Sequence, residues 1–349
     1  MSLRTYHKLM QPFLRNNGEH FAPLFSSVPS TNLCSTSSDS NNLKTRDYVK
    51  SVFESYGFSD TLLGKCEKFA PKFSSSKEFQ QTVQPKFDIF RNMGLSTAQI
   101  AIVFSAYPRI LIRVPVHYIE RSVAVLKKVL GDKLYDARIL KNIGWLLNSD
   151  YDKTLVPNVE YLRSCQIEES QIMQLFYHYP RFLLHKAENF KEFVRRVDEL
   201  GVDRGSKLFV YAVRTVGSMS LESWEQKLDV FRGLGFSEVD IVLTFRKFPN
   251  VFALSDRKIK ETAEFLVSSG RYDRSFICRY PYVLIFSLDR RIKPRLRVLE
   301  ILEREKILEI NNNKTPVLIM SDSKFFAKFV EPHLDKVDEL SFMVKDAKA

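Results

Sequence analysis

The chain has 349 residues, with 53 Lys+Arg against 41 Asp+Glu and a formal net charge of +12. At 44% hydrophobic and 27% charged residues its body is globular rather than disordered, and its longest uncharged apolar stretches, such as 100–107, fall far short of the ~18 residues of a membrane span. Twelve glycines make a glycine-rich phosphate loop a poor first reading, whereas 28 Phe demand a substantial core.

The first 18 residues contain Arg4, Lys8 and Arg15 and no acid, with Leu3, Tyr6, Met10, Phe13 and Leu14 between them at roughly helical spacing. A stretch rich in Ser, Thr and Asn follows, from 26 to 42. Basic, acid-poor, amphipathic and then Ser-rich is the composition of an organellar transit peptide. Residues 1–44 are therefore expected to be a leader. Its amphipathic, arginine-bearing start favours the mitochondrion, with the chloroplast as the alternative.

Beyond the leader a repeat emerges from the prolines. Apolar residues stand eight, four and one positions before Pro108 (Ile100, Phe104, Tyr107), Pro180 (Ile172, Phe176, Tyr179) and Pro249 (Ile241, Phe245, Phe248). That spacing is one face of a helix. Each helix must stop just before its proline, because the preceding residue is disfavoured in the α region. Ser96 and Gln99 form an expected capping box for the first of them. The frame recurs at Pro281 and, more weakly, at Pro71. Two degenerate copies place Gly144 and Gly217 where proline would be. Anchors at 71, 108, 144, 180, 217, 249 and 281 lie 32–37 residues apart.

A short apolar plug follows most anchors: 109–111, 145–147, 181–183, 250–252 and 282–284. Pro85, Pro157 and Pro294, about 13 residues after an anchor, are expected to open the next helix, as proline is tolerated at the first helical position. Each repeat then reads helix, turn, helix, and its apolar faces can be buried only by stacking on its neighbours. The expected fold is an all-α helical-repeat solenoid without a β-sheet, over residues 45–340, with 341–349 as a tail.

The repeated G-[FL]-S … P-x-x-L/F frame resembles the mitochondrial transcription termination factor (mTERF) family, particularly its plant members. The segment 321–330, Ser-Asp-Ser-Lys-Phe-Phe-Ala-Lys-Phe-Val, is similar to the tail those members carry. The resemblance implies a superhelix that binds nucleic acid in organelles and acts in transcription or transcript processing. It brings no catalytic residues and no fixed set of nucleic-acid contacts.

No enzyme is expected, because no Ser–His–Asp, paired-carboxylate or Walker-type arrangement rises above background. Cys34, Cys66, Cys165 and Cys278 lie far apart and fit reduced thiols, and His178 and His185 straddle Pro180 without sharing a helix face. No metal or cofactor is expected. The informative residues are basic and flank the anchors: Arg109, Arg113, Arg181, Lys186, Arg246, Lys247, Arg257, Lys258 and Arg279. A densest group, Arg290, Arg291, Lys293, Arg295 and Arg297, surrounds Pro294. A stripe of such side chains would supply salt-dependent phosphate contacts. Most aromatic residues belong to the buried face, leaving Tyr282 and Trp145 as stacking candidates.

The expected partner is double-stranded organellar DNA in a basic groove, bound by a monomer that regulates transcription and touches no membrane. The alternatives are structured RNA, in splicing or transcript processing, and a protein-binding adaptor. Other organellar gene-expression proteins could join either assembly.

Overall fold

The computed structural model describes residues 39–56, 58, 75–147, 151–307, 317–335 and 337. The chain divides into two compact units, residues 1–164 with 168–187, and residues 165–167 with 188–349. Helices and helical turns make up both, and no strand occurs among the described residues. The expected leader lies mostly outside the described residues, and its boundary at 44 falls inside the first described helix. The Pro71 copy of the frame also lies outside them.

The first unit contains α1 (Asp39–Ser55), α2 (Ser76–Asn92), α3 (Thr97–Ala106), α4 (Ile110–Arg113), α5 (Val116–Leu130), α6 (Ala137–Leu146), α7 (Leu155–Ser164) and α8 (Glu169–His178). The second contains α9 (Ala187–Glu199), α10 (Phe209–Gly217), α11 (Leu221–Gly233), α12 (Glu238–Lys247), α13 (Asp256–Ser268), α14 (Arg274–Arg279), α15 (Lys293–Arg304) and α16 (Asp322–Phe329).

The proline anchors act as expected. Tyr107, Tyr179, Phe248 and Tyr280 all cap their helices with φ between −131° and −157°, each N–H still donating to the carbonyl four residues back. Proline then starts a 3-10 turn at Pro180–Leu184, Pro249–Ala253 and Pro281–Ile285. A further turn, Val317–Ile319, directly follows Pro316 in the sequence and so adds a frame that the anchor spacing did not include. The Ser96–Gln99 capping box is present, and Ser237 with Asp240 forms a second.

The chain departs locally from the expected frame at Pro85, Gly144 and Gly217. Pro85 lies in the interior of α2, which starts nine residues earlier because the Ser75 side chain accepts the Glu78 N–H. Gly144 does not end its helix: α6 runs on to Leu146, since glycine, unlike proline, keeps its N–H and does not clash with the preceding turn. Gly217 does end α10, but α11 starts at Leu221 and leaves no room for a 3-10 turn.

The stripe residues form the core. Ile100, Phe104, Ile172, Phe176, Ile241 and Phe245 are all buried, and so are plug residues Leu111, Leu147, Leu183, Phe252 and Leu284. The phenylalanines pack on one another across successive helices. Phe87 and Phe90 meet Phe104 at centroid distances of 4.6 and 5.4 Å, and Phe252 gathers Phe231, Phe245 and Trp224 at 4.8, 5.1 and 5.5 Å. Residues with positive φ recur at 94, 131, 166, 201, 235, 270 and 306, closing the helices that precede each new frame. At Gly201 and Gly235 a guanidinium group, from Arg246 and Arg274 respectively, occupies the space a Cβ would need.

A second regularity is polar. In the first unit, buried Lys86 donates from Nζ to Ile110 O (2.9 Å) and Leu111 O (2.6 Å). Ser122 and Asn158, at the matching positions of the next two frames, donate to Leu147 O (3.2 Å) and to Leu183 O and His185 O (3.0 and 2.8 Å). In the second unit Lys227 donates to Leu254 O (2.6 Å) and Lys258 to Phe286 O. Each bond links a helix to the turn of the following repeat, satisfying carbonyls that a finished helix end leaves without partners.

Phe104→Ala and Phe176→Ala should each cost about 3–5 kcal/mol, read from urea unfolding midpoints. Burial pushes Lys86 down to about 8 from 10.5. Between those values the unfolded chain binds the extra proton, so rising pH favours the folded state. The stability of the wild-type chain relative to Lys86→Met should therefore increase from pH 8 to pH 10, by on the order of 1–3 kcal/mol. A difference that stays flat across that range would remove the buried ammonium from the account.

Candidate nucleic-acid interface

Cations are unevenly distributed. Residues 241–297 carry thirteen Lys+Arg against five Asp+Glu. This segment, α12 to the first turns of α15, lies within the second unit. Which of its charges are available to a polyanion depends on what each side chain already holds.

Several hold backbone. Arg246 donates from Nε to Leu200 O (2.6 Å), one residue before the glycine it covers. Lys247 donates to Cys278 O (2.9 Å), which sets its charge one residue from Arg279. Lys258 is half-buried on Phe286 O, and burial lowers its ammonium from the ordinary lysine value. Arg246 and Lys247 remain exposed on their outer sides.

The group around Pro294 divides sharply. Leu288–Ile292 forms a π-helical turn, capped by Ser287 and leading directly into α15. Arg295 is only 4% exposed: its guanidinium donates to Val317 O (2.8 Å), Leu318 O (3.1 Å) and Met320 O (2.8 Å) and pairs with Asp322 at 2.5 Å. Arg291 donates to Leu318 O (3.3 Å) and Met320 O (2.5 Å), pairs with Asp322 at 3.1 Å and lies over the Phe286 ring at 4.2 Å. Burial holds both guanidinium groups below their ordinary value, and Asp322 opposes that shift. Arg291 and Arg295 are thus repeat-to-repeat straps, and the expectation that both reach phosphate is corrected. Lys293 pairs with Asp289 at 2.6 Å and Arg297 with Glu300 at 3.8 Å, both exposed.

Arg279 and Arg290 differ from all of these. Both are exposed and neither makes a side-chain hydrogen bond or ion pair among the described residues. Arg257 is 85% exposed with only a 3.7 Å contact to Glu261. In the first unit, Arg109, Arg113 and Lys186 are exposed, and Arg181 stands exposed at the start of its turn. Arg279, Arg290, Arg257, Arg109, Arg113 and Lys186, with the outer faces of Arg246 and Lys247, make up the usable part of the expected set.

Tyr282, an expected stacking residue, is half-buried among Phe248, Tyr280 and Phe286, with centroids 6.0–6.3 Å away. The side chain of Trp145 lies outside the described residues. Among the described residues no three His, Cys, Asp or Glu side chains gather as a metal ion would require, and no helix is long and apolar enough to cross a membrane.

The sequence profile of the mTERF family matches residues 50–222 and 215–326, the same span over which the proline frame repeats. The chain belongs to the mTERF family. Its members are nucleic-acid-binding regulators rather than enzymes. A curated relative, transcription termination factor MTERF8, chloroplastic, of Arabidopsis thaliana, is 22% identical over 215 residues. The match spans 60% of this chain and 42% of that protein, so the chain covers less than half of its relative.

The division of the basic residues is directly measurable. Arg295→Ala should destabilise the second unit by roughly 1–3 kcal/mol by orphaning the carbonyls of the 317–320 turn. Arg290→Ala should stay within about 0.5 kcal/mol of wild type in the same thermal melt.

Proposed function

We propose that this mTERF protein binds double-stranded organellar DNA through the cationic surface of its second unit and thereby regulates organellar transcription. The observation that carries the reading is the excess of thirteen cations over five acids in residues 241–297, with Arg279 and Arg290 exposed and unpaired. Exposed guanidinium groups form charge-assisted bonds to phosphate oxygens and release counterions from the duplex. The strapped cations contribute differently: Arg291 and Arg295 hold the last repeats in register while adding to the local positive potential.

Nothing in this arrangement reads a base code. The strictest positions of the frame are proline and apolar residues that serve packing, so affinity comes from phosphate and shape. The name of the Arabidopsis relative, a chloroplastic termination factor, supports an organellar site of action and a role in transcription. For this chain the amphipathic start of the stretch 1–44, with its early Arg4, favours the mitochondrion. A fluorescent reporter carrying those residues should enter mitochondria; entry into chloroplasts would overturn the choice of organelle, and a cytosolic reporter would overturn import by this segment.

The binding experiment is a salt titration of duplex DNA affinity. Arg279→Ala with Arg290→Ala should make log affinity against log salt shallower by about 2, at ~0.9 per phosphate contact. An unchanged slope in a variant with a native melt would remove these residues from the interface.

A further inference from the structure

The first unit has its own cationic stretch. Residues 89–131 hold Arg91, Arg109, Arg113, Arg121, Lys127 and Lys128 against a single acid, Glu120. Within it the chain turns a corner: α4 ends at Arg113, Val114 is extended, Pro115 caps α5, and α5 continues to Leu130. Arg109, the residue before α4, and Arg113, its last, are four residues apart; both are exposed, while Ile110 and Leu111 between them are buried. Neither arginine makes a side-chain hydrogen bond or ion pair among the described residues. Arg121, by contrast, is neutralised by Asp152.

Just past the corner, in the first turn of α5, is a pair of aromatic rings that packing does not use. Ile119, Ser122, Val123, Leu126, Val129 and Leu130 form the buried face of α5. Tyr118 lies off that face at 46% exposure, and among the described Phe, Tyr and Trp side chains only Phe326, at 39%, is exposed as well. His117, also exposed, lies against it with ring centroids 4.6 Å apart and planes inclined by 37°. An exposed tyrosine leaves a large apolar face in water, and a second ring beside it limits its rotation. Such a face suits another flat ring, and nucleobases stack on tyrosine with little regard to sequence.

We propose that the Pro115 corner of the first unit is a stacking site for an unpaired nucleobase, with Tyr118 and His117 taking the base and Arg109 and Arg113 taking the adjoining phosphates. The site rests on the nucleic-acid reading above but adds a different ligand form. The second unit engages duplex phosphates, whereas this corner engages a strand whose base is not paired.

The probe is a short single-stranded DNA with one 2-aminopurine, compared with the fully paired duplex of the same sequence. The full chain should quench 2-aminopurine fluorescence on binding the single strand. Tyr118→Ala should abolish the quench and weaken single-strand binding about 5- to 100-fold, with duplex affinity changed less than twofold. Tyr118→Phe, which keeps the ring, should behave as wild type. Arg109→Ala with Arg113→Ala should flatten the single-strand salt dependence by about 1.4, at ~0.7 per contact. Tyr118→Ala binding the single strand like wild type, in a protein with a native melt, would overturn the stacking site while leaving the duplex reading intact. A wild-type chain that binds neither form would overturn the nucleic-acid reading and the stacking site with it.

Discussion

A helix that stops at proline leaves carbonyl groups at its end and in the turn that follows, and these cannot be buried without donors. In this chain the problem recurs with every repeat, and a side chain from the preceding repeat meets it nearly every time. Lys86, Ser122, Asn158, Lys227, Lys258 and Arg295 differ in size and charge, yet each delivers an N–H or O–H to the turn of the next frame. Because the donor must reach across exactly one repeat junction, these bonds fix register as well as satisfying polarity. At the Gly217 copy donor and turn are lost together: Val194, the residue matching Asn158 one period later, is buried and apolar, and Gly217 is followed by no 3-10 turn; at the Gly144 copy the turn is lost but Ser122 still donates to Leu147 O.

This constraint explains why a basic composition is a poor guide to a basic surface. A lysine or arginine carries a long apolar stem and several donors, so it is a good strap across a junction. Arg291 and Arg295 are employed that way, and so in part are Arg246, Lys247 and Lys258. The charge left for a partner is concentrated in residues with no such task, Arg279 and Arg290 in the second unit and Arg109 and Arg113 in the first.

The fold was largely legible in the sequence because its signals act on the backbone. Proline forbids helix continuation, and the apolar positions eight, four and one before it can only mark one helical face. Glycine is a weaker signal, which is why Gly144 misled: nothing in a glycine compels a helix to stop. The roles of the cations were less legible, since a side chain's partner lies a whole repeat away. One clue was present. Arg295 stands fourteen residues after Pro281, as Ser122 and Asn158 stand fourteen after 108 and 144, and that offset belongs to the inward face. Tyr118 escaped notice for a related reason: in a chain so rich in aromatic residues, its offset from the α5 core face is the one sequence signal that sets it apart from the core rings.

The separation of strapping from available cations can be tested in one experiment, arginine-selective chemical labelling of the folded protein read by mass spectrometry, with and without duplex DNA. Arg279 and Arg290 should label rapidly in the free protein and become protected when DNA is bound, while Arg295 should label slowly in both states. Arg295 labelling as fast as Arg290 in the free, folded protein, or Arg279 and Arg290 remaining fully reactive in the DNA complex, would contradict the account.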